Sequence, residues 1–104
     1  MSDAPKLSHT AAIILQAIGT GHVYGYTLME ATGRPSGTVY PALRRLEHDA
    51  LIRSRKERQS IADAEQRPAR KYYQLTRTGD TALEAARERY PLLAKMMPAE
   101  AEDA

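Results

Sequence analysis

Residues 36–52 read SGTVYPALRRLEHDALI. Val39, Leu43, Leu46 and Ala50 recur four, three and four residues apart, which places them on one side of a helix. The opposite side carries Gly37, Thr38, Pro41, Arg44, Arg45 and His48. Thr38 or Ser36 fits the N-cap, where a hydroxyl accepts from a backbone N–H of the first turn. With Thr38 as cap, Pro41 is the third helical residue and no intrahelical bond is lost. With Ser36 as cap, Pro41 is the fifth and the helix is slightly weakened. Such a helix suits a DNA major groove. Small residues at Ser36 and Gly37 let the backbone come close, and Arg44 and Arg45 fork onto guanine. Thr38 and Pro41 offer contact to a thymine methyl, and His48 extends the same face. An amphipathic helix with a solvated charged face has the same pattern, so the flanking segments must separate the two readings.

Upstream, Ser8 caps a first helix predicted to run to about Ile18, with Leu7, Ala11, Ile14, Leu15 and Ile18 as its buried stripe. Gly19-Thr20-Gly21 stops it. A short second helix spans about Tyr24 to Thr32, with Tyr24, Leu28 and Ala31 on one face, and Gly33-Arg34-Pro35 breaks it. Two short helices joined by a Gly/Pro turn make a helix-turn-helix by pattern.

Downstream the period changes from 3.6 to 2. Ile52, Ser54, Lys56 and Arg58 alternate with Arg53, Arg55 and Glu57, which reads as a strand. Ser60 to Pro68 is polar apart from Ile61 and reads as a mobile loop. Ala69 to Thr76 reads as a second strand, with Lys71, Tyr73 and Leu75 on one face. A helix-turn-helix followed by a basic ribbon is the winged-helix order. Arg53, Arg55, Lys56, Arg70 and Lys71 then meet phosphates from the wing; Arg70 alternatively pairs with an acid such as Glu47.

Thr76 caps a last helix, with Asp80 and Glu84 near its positive end. Leu83, Ala86, Tyr90, Leu93 and Met97 recur three and four apart as a heptad-like seam, and Met96 adds to its apolar end. Pro91 implies a kink or break near Arg87 to Tyr90. Met1 to Leu7 and the residues from Pro98 onward read as loose ends. The expected fold class is therefore mainly α with a two-stranded β-wing. Residues 1–76 form a winged helix-turn-helix DNA-binding domain, and residues 77–104 a C-terminal dimerisation helix and frayed tail. The seam would otherwise be an exposed apolar end, which predicts a homodimer joined at Leu83, Ala86, Tyr90, Leu93, Met96 and Met97.

A chain of 104 residues is expected to be a single small folding unit. Cysteine is absent, which fits a reducing compartment. No apolar run approaches the ~20 residues of a membrane span, and MSDAPKLSHT has no apolar leader signal. The expected location is cytoplasmic, with no membrane partner. The net charge is only +2, but residues 34–77 hold eleven Lys or Arg against five acids, so the rest of the chain nets −4. A basic middle between acidic ends points to a polyanion bound through one region.

His9, His22 and His48 are not spaced as metal ligands. No serine has an adjacent His–acid context, Gly33 to Gly37 completes no phosphate loop, and Glu47 and Asp49 do not face each other on a helix. The expectation is no enzyme, no metal and no cofactor.

The chain resembles the PadR family of transcriptional regulators. The resemblance rests on Tyr24-Gly25-Tyr26, Ser36-Gly37-Thr38-Val39-Tyr40-Pro41-Ala42-Leu43, Arg45-Leu46-Glu47, Leu51-Ile52, Arg70-Lys71-Tyr72-Tyr73, Leu75-Thr76 and Gly79. It covers roughly Ile14 to Leu83. It implies a winged helix that dimerises through its last helix and binds a palindromic double-stranded operator. It further implies a repressor released by small molecules such as phenolic compounds or drugs, and a Tyr40 that reaches a DNA phosphate. The short tail looks like the subgroup with a single C-terminal helix. Ala50 stands where the family usually has glycine, His22 where it tends to have proline, and the ligand-contacting tryptophan of many members is missing. A small-molecule effector is expected between the subunits, since one subunit of this size leaves no room beside its core. A winged helix used as a protein-interaction module is the rival reading. It would not need both a basic helix face and a basic wing.

Overall fold

The computed structural model describes residues 7–96. Its first helix, α1 (His9–Gly19), is the post around which the other elements stand. Ser8 caps it, the hydroxyl accepting from the Ala11 N–H at 3.1 Å. The expected stripe proves too narrow: every residue from Ala12 to Ile18 is buried. The reason is tertiary, since α1 packs against both later helices of the helix-turn-helix, the second wing strand and the C-terminal helices. Gln16 shares this burial, and its side-chain oxygen accepts from Arg87 Nε at 3.0 Å. Leu7 is not loose: it packs on the core, and its carbonyl accepts from the Tyr90 hydroxyl at 3.3 Å.

Helix α2 (Gly25–Thr32) ends on Gly33 at φ 68°, a left-handed turn that glycine takes without strain. The helix that follows, α3 (Ser36–His48), starts earlier than either cap reading allows. Pro35 occupies the cap position with no side-chain hydrogen bond, so neither Thr38 nor Ser36 caps it. Ser36 is the first helical residue, and Pro41 lies inside the helix. The missing N–H faces the carbonyl of Gly37, an exposed residue, so water can serve that oxygen. Val39, Leu43 and Leu46 are buried as their spacing predicts, while Ala50 is exposed.

Ala50 takes φ 62°, also left-handed. Its N–H bonds to the Glu47 carbonyl, and the Leu51 N–H reaches back to Leu46, each at 3.0 Å. This is a Schellman turn with alanine in the position glycine favours. It aims the chain into β1 (Ile52–Lys56), which pairs antiparallel with β2 (Lys71–Leu75). Ile52 lies opposite Leu75, Ser54 opposite Tyr73 and Lys56 opposite Lys71, so the faces sort as the alternation predicts. The second strand is shorter than the predicted 69–76. Its Tyr73 N–H donates to the Val23 carbonyl at 2.8 Å, which ties the turn before α2 to the wing.

Between the strands the predicted loop is instead a short helix, α4 (Gln59–Ala64). Ala62 is fully buried under it while Ile61 stays 46% exposed. Ile61, Ala62 and Ala64 give too little periodicity to announce a helix. Thr76 caps α5 (Arg77–Arg89) by accepting from the Gly79 N–H at 2.9 Å. A side chain at Gly79 would run into the Leu51 carbonyl, so glycine lets the start of α5 press against the exit of α3.

Helix α5 ends before Pro91, and a final turn, α6 (Leu93–Met96), comes back onto α1. The seam is thereby corrected. Leu83, Ala86 and Leu93 are 3%, 4% and 1% exposed, buried in the chain's own core. Tyr90 is half-buried, with its ring 5.1 Å from that of His9. Pro91 is the cause: it removes the bond that would continue α5, and the chain folds back over itself. Met96 lies in α6; Met97, the N-terminal end before Leu7 and the residues from Pro98 lie outside the described residues.

Candidate nucleic-acid interface

The outer face of α3 presents Ser36, Gly37, Pro41, Arg44, Arg45 and His48 to solvent, with Thr38 half-buried. Arg44 pairs with no carboxylate among the described residues. Arg45 approaches Asp49 at 3.6 Å, one turn along the helix, but its side chain is 81% exposed. Such a pair is worth little in water and leaves the guanidinium free to exchange partners. Tyr40 is 40% exposed and leans back over α2. A side chain on Gly25 would occupy the place of its hydroxyl, so glycine there is what lets the ring lie down.

The wing divides its cations between two faces. Lys56 and Lys71 share a face with Ser54 and Tyr73. Arg53 and Arg55 point the other way and line a depression with Val23, Tyr72 and Gln74. Arg55 lies 5.7 Å over the Tyr72 ring. Arg70, at the entry to β2, lays its guanidinium 4.1 Å from the centre of the Tyr24 ring, a contact that holds the plane while leaving the charge unpaired. The expected alternative, Arg70 against Glu47, is not what forms. Glu47 is taken by Lys71 at 3.8 Å and by the Ser54 hydroxyl at 2.7 Å.

Between α3, the start of α2 and the wing lies a cleft of about 760 Å³. Tyr24, Tyr40, Arg44, Arg70, Lys71 and Tyr73 line it, and no carboxylate does. Burial first, then the nearby Glu47 carboxylate and Tyr40, pushes the Tyr73 phenol above its ordinary range, against the pull of Arg44. These groups therefore sit close enough to feel each other's charge. The structure brings together Tyr40, Arg44, Arg70 and Lys71 from the predicted set. It sets Arg53 and Arg55 on the far side of the wing.

Two groups escaped the sequence reading. Glu57, which alternation places on an open strand face, is only 8% exposed. It accepts from Arg67 Nη1 at 2.6 Å, Arg67 Nη2 at 2.9 Å, the Arg70 N–H at 3.1 Å and the Tyr72 hydroxyl at 3.3 Å. The Arg67 hydrogen bonds above all, aided by the Arg70 N–H and Tyr72 and opposed by burial, hold its carboxyl down at about 2. Arg67 is raised in turn, chiefly by the same hydrogen bond, and is spent in clasping the wing tip. Ten residues separate the pair in sequence, so no local pattern reveals it. Asp63 and Glu65 make the tip acidic, so the basic part of the wing is its strands.

Among the described residues there is no group of three or more His, Asp or Glu that could hold a metal ion, and no helix long and apolar enough to cross a membrane.

Residues 14–85 match the family model of the PadR-like transcriptional regulators. A Streptococcus transcriptional regulator of known crystal structure superposes with a TM-score of 0.64 at 26% identity, over 82% of this chain and 84% of that one. A PadR-like transcription factor from Bacteroides fragilis gives 0.64 at 24%, over 82% of each chain. A protein of Streptococcus mutans UA159 gives 0.64 at 23%, over 86% and 85%. No curated protein matches the sequence significantly.

Proposed function

We propose, since the chain belongs to the PadR-like family of transcriptional regulators, that it is a sequence-specific repressor that grips an inverted-repeat operator as a homodimer. The family is one of regulators rather than enzymes. The observation that carries the reading is the cleft between α3 and the wing, walled by cations and phenols with no carboxylate among its lining residues. A wall of that kind attracts the phosphates of a nucleic-acid backbone, and it adjoins a helix whose exposed arginine is free to read bases. In this reading Arg44 and Arg45 enter the major groove. Tyr40, Arg70 and Lys71 hold the adjoining phosphates, and Lys56, Arg53 and Arg55 follow the strand backbone from the wing.

One α3 helix covers only a few base pairs, so a second copy supplies the other half-site about 34–36 Å away, one turn of DNA. Exposed Leu92, 68% accessible beside Pro91, supports a contact at the C-terminal end. Capture of genomic fragments by the purified protein, followed by footprinting, tests the function. A protected inverted repeat with that spacing is expected. Uniform retention of fragments regardless of sequence would remove the specific reading.

A further inference from the structure

The same cleft has the makings of a ligand site. Its cationic lining comes from two parts of the chain: Arg44 from α3, and Arg70 and Lys71 from the entry to β2. Arg44 and Arg70 have no acid partner among the described residues, and Lys71 is only loosely paired, at 3.8 Å from Glu47. Tyr24, Tyr40 and Tyr73 line the space, and their hydroxyls bond to no protein atom among the described residues. The volume of about 760 Å³ lies in the range of small-molecule pockets. The premise that one subunit has no room for a ligand therefore fails.

We propose that this cleft binds a phosphate monoester carried on a flat ring, and that this ligand and DNA exclude each other. A carboxylate offers two oxygens in one plane. A phosphate monoester offers three terminal oxygens and up to two charges, which suits a cleft lined by three cationic donors, Arg44, Arg70 and Lys71. The aromatic walls accept the ring. Occupation would place an anion on Arg70 and Lys71, assigned above to DNA phosphates, and on Arg44, assigned above to the bases, so release from DNA needs no relay through the fold. This exclusion rests on the proposed DNA-binding function; ligand binding by the free protein does not.

The test uses the full chain labelled with ¹⁵N and titrated at constant ionic strength with phenyl phosphate, inorganic phosphate and benzoate. Phenyl phosphate should give saturable amide shifts at Gly25, Tyr40 and Lys71, and none at Arg53 or Gln74 on the opposite wing face. Inorganic phosphate should move the same amides at about tenfold weaker affinity, and benzoate should be weaker still than phenyl phosphate. Arg70→Ala should weaken phenyl phosphate about tenfold, the scale of one charge-assisted hydrogen bond. Non-saturating shifts spread over all basic residues, equal for the three anions, would overturn the site. In a second arm, phenyl phosphate competes with a labelled duplex at matched ionic strength. Displacement at the affinity found by titration supports exclusion. Saturation of the cleft with the duplex still bound overturns exclusion, and a protein that binds no duplex removes the DNA reading while leaving the titration standing.

Discussion

The carboxylate of Glu47, on α3, accepts a 2.7 Å hydrogen bond from the hydroxyl of Ser54, on β1. Its other oxygen faces Lys71 on β2 at 3.8 Å, so one side chain ties the helix to both wing strands. It also keeps a negative charge beside Lys71, which the proposed function assigns to a DNA phosphate. Glu47→Gln keeps a hydrogen-bond acceptor for Ser54 but frees Lys71. Affinity for random duplex should rise and its salt dependence steepen by about one unit, while the preference for operator over random DNA falls. Anisotropy titrations across a salt series check this; an unchanged specificity ratio would show that the tie does not orient the wing.

Ala50 turns left-handed at φ 62°, which for a residue with a Cβ costs roughly 1–2 kcal/mol. Glycine removes that strain but gives back about 0.5–1 kcal/mol of unfolded-chain entropy. Ala50→Gly should therefore stabilise by about 0.5–1 kcal/mol and raise Tm by a few degrees. Thermal unfolding measures it. A lower Tm would mean that the turn is not under strain.

How the sequence announced these features differs from one to the next. Ser8, Gly33 and Thr76 are local signals, and each sits where its chemistry predicts. The change of period after α3 also placed the two wing strands and sorted their faces, while the helix between them and the final turn stayed unannounced. The turn at Ala50 did not, because alanine there carries no mark of a left-handed residue. The clasp of Glu57 by Arg67 joins residues ten apart across a helix that Ile61, Ala62 and Ala64 barely signal. The seam of Leu83, Ala86 and Leu93 shows a different limit. Spacing tells that a helix face is buried, but not whether its own chain or another buries it.

Glu57 gives the wing tip a pH signature. Its carboxyl is held at about 2, below the ordinary 4.5, so the stability it contributes is complete above pH 4.5 and is lost as pH falls through 2. Stability of the wild type should decline over that window. Glu57→Gln, which cannot titrate, should be less stable at pH 6 and show a flatter profile from pH 4.5 to 2. Carboxyl chemical shifts through the same window locate the midpoint directly; one near 4.5 would show that the clasp is open in solution.

The proposed function gives Arg44 and Lys56 different kinds of contact. Arg44 lies on the exposed side of α3 and Lys56 at the end of β1. Arg44→Ala should cost about 1–3 kcal/mol on the operator and much less on random duplex. Lys56→Ala should weaken both alike and flatten the salt slope by about one unit. Equal losses on both duplexes for Arg44→Ala would take base reading away from it.

Leu92 and Leu93 separate folding from assembly. Leu93 is 1% exposed and closes the chain's own core, whereas its neighbour Leu92 is 68% exposed. Leu93→Ala should cost about 2–5 kcal/mol of stability, as for other buried leucines, and the loss should appear in thermal unfolding whatever the oligomeric state. Leu92→Glu should leave the fold intact, because its side chain leaves only solvent. If a second copy covers that end of the chain, a charge there faces an apolar partner surface twice over, once from each subunit. Sedimentation should then show monomer, and operator binding should fall while circular dichroism stays unchanged. A Leu92→Glu protein that remains dimeric with full operator affinity would move the contact elsewhere. The face of α5 that carries Glu84, Ala85 and Glu88, exposed along its length, would be the next surface to test, by reversing the charge of Glu84 and Glu88 to lysine.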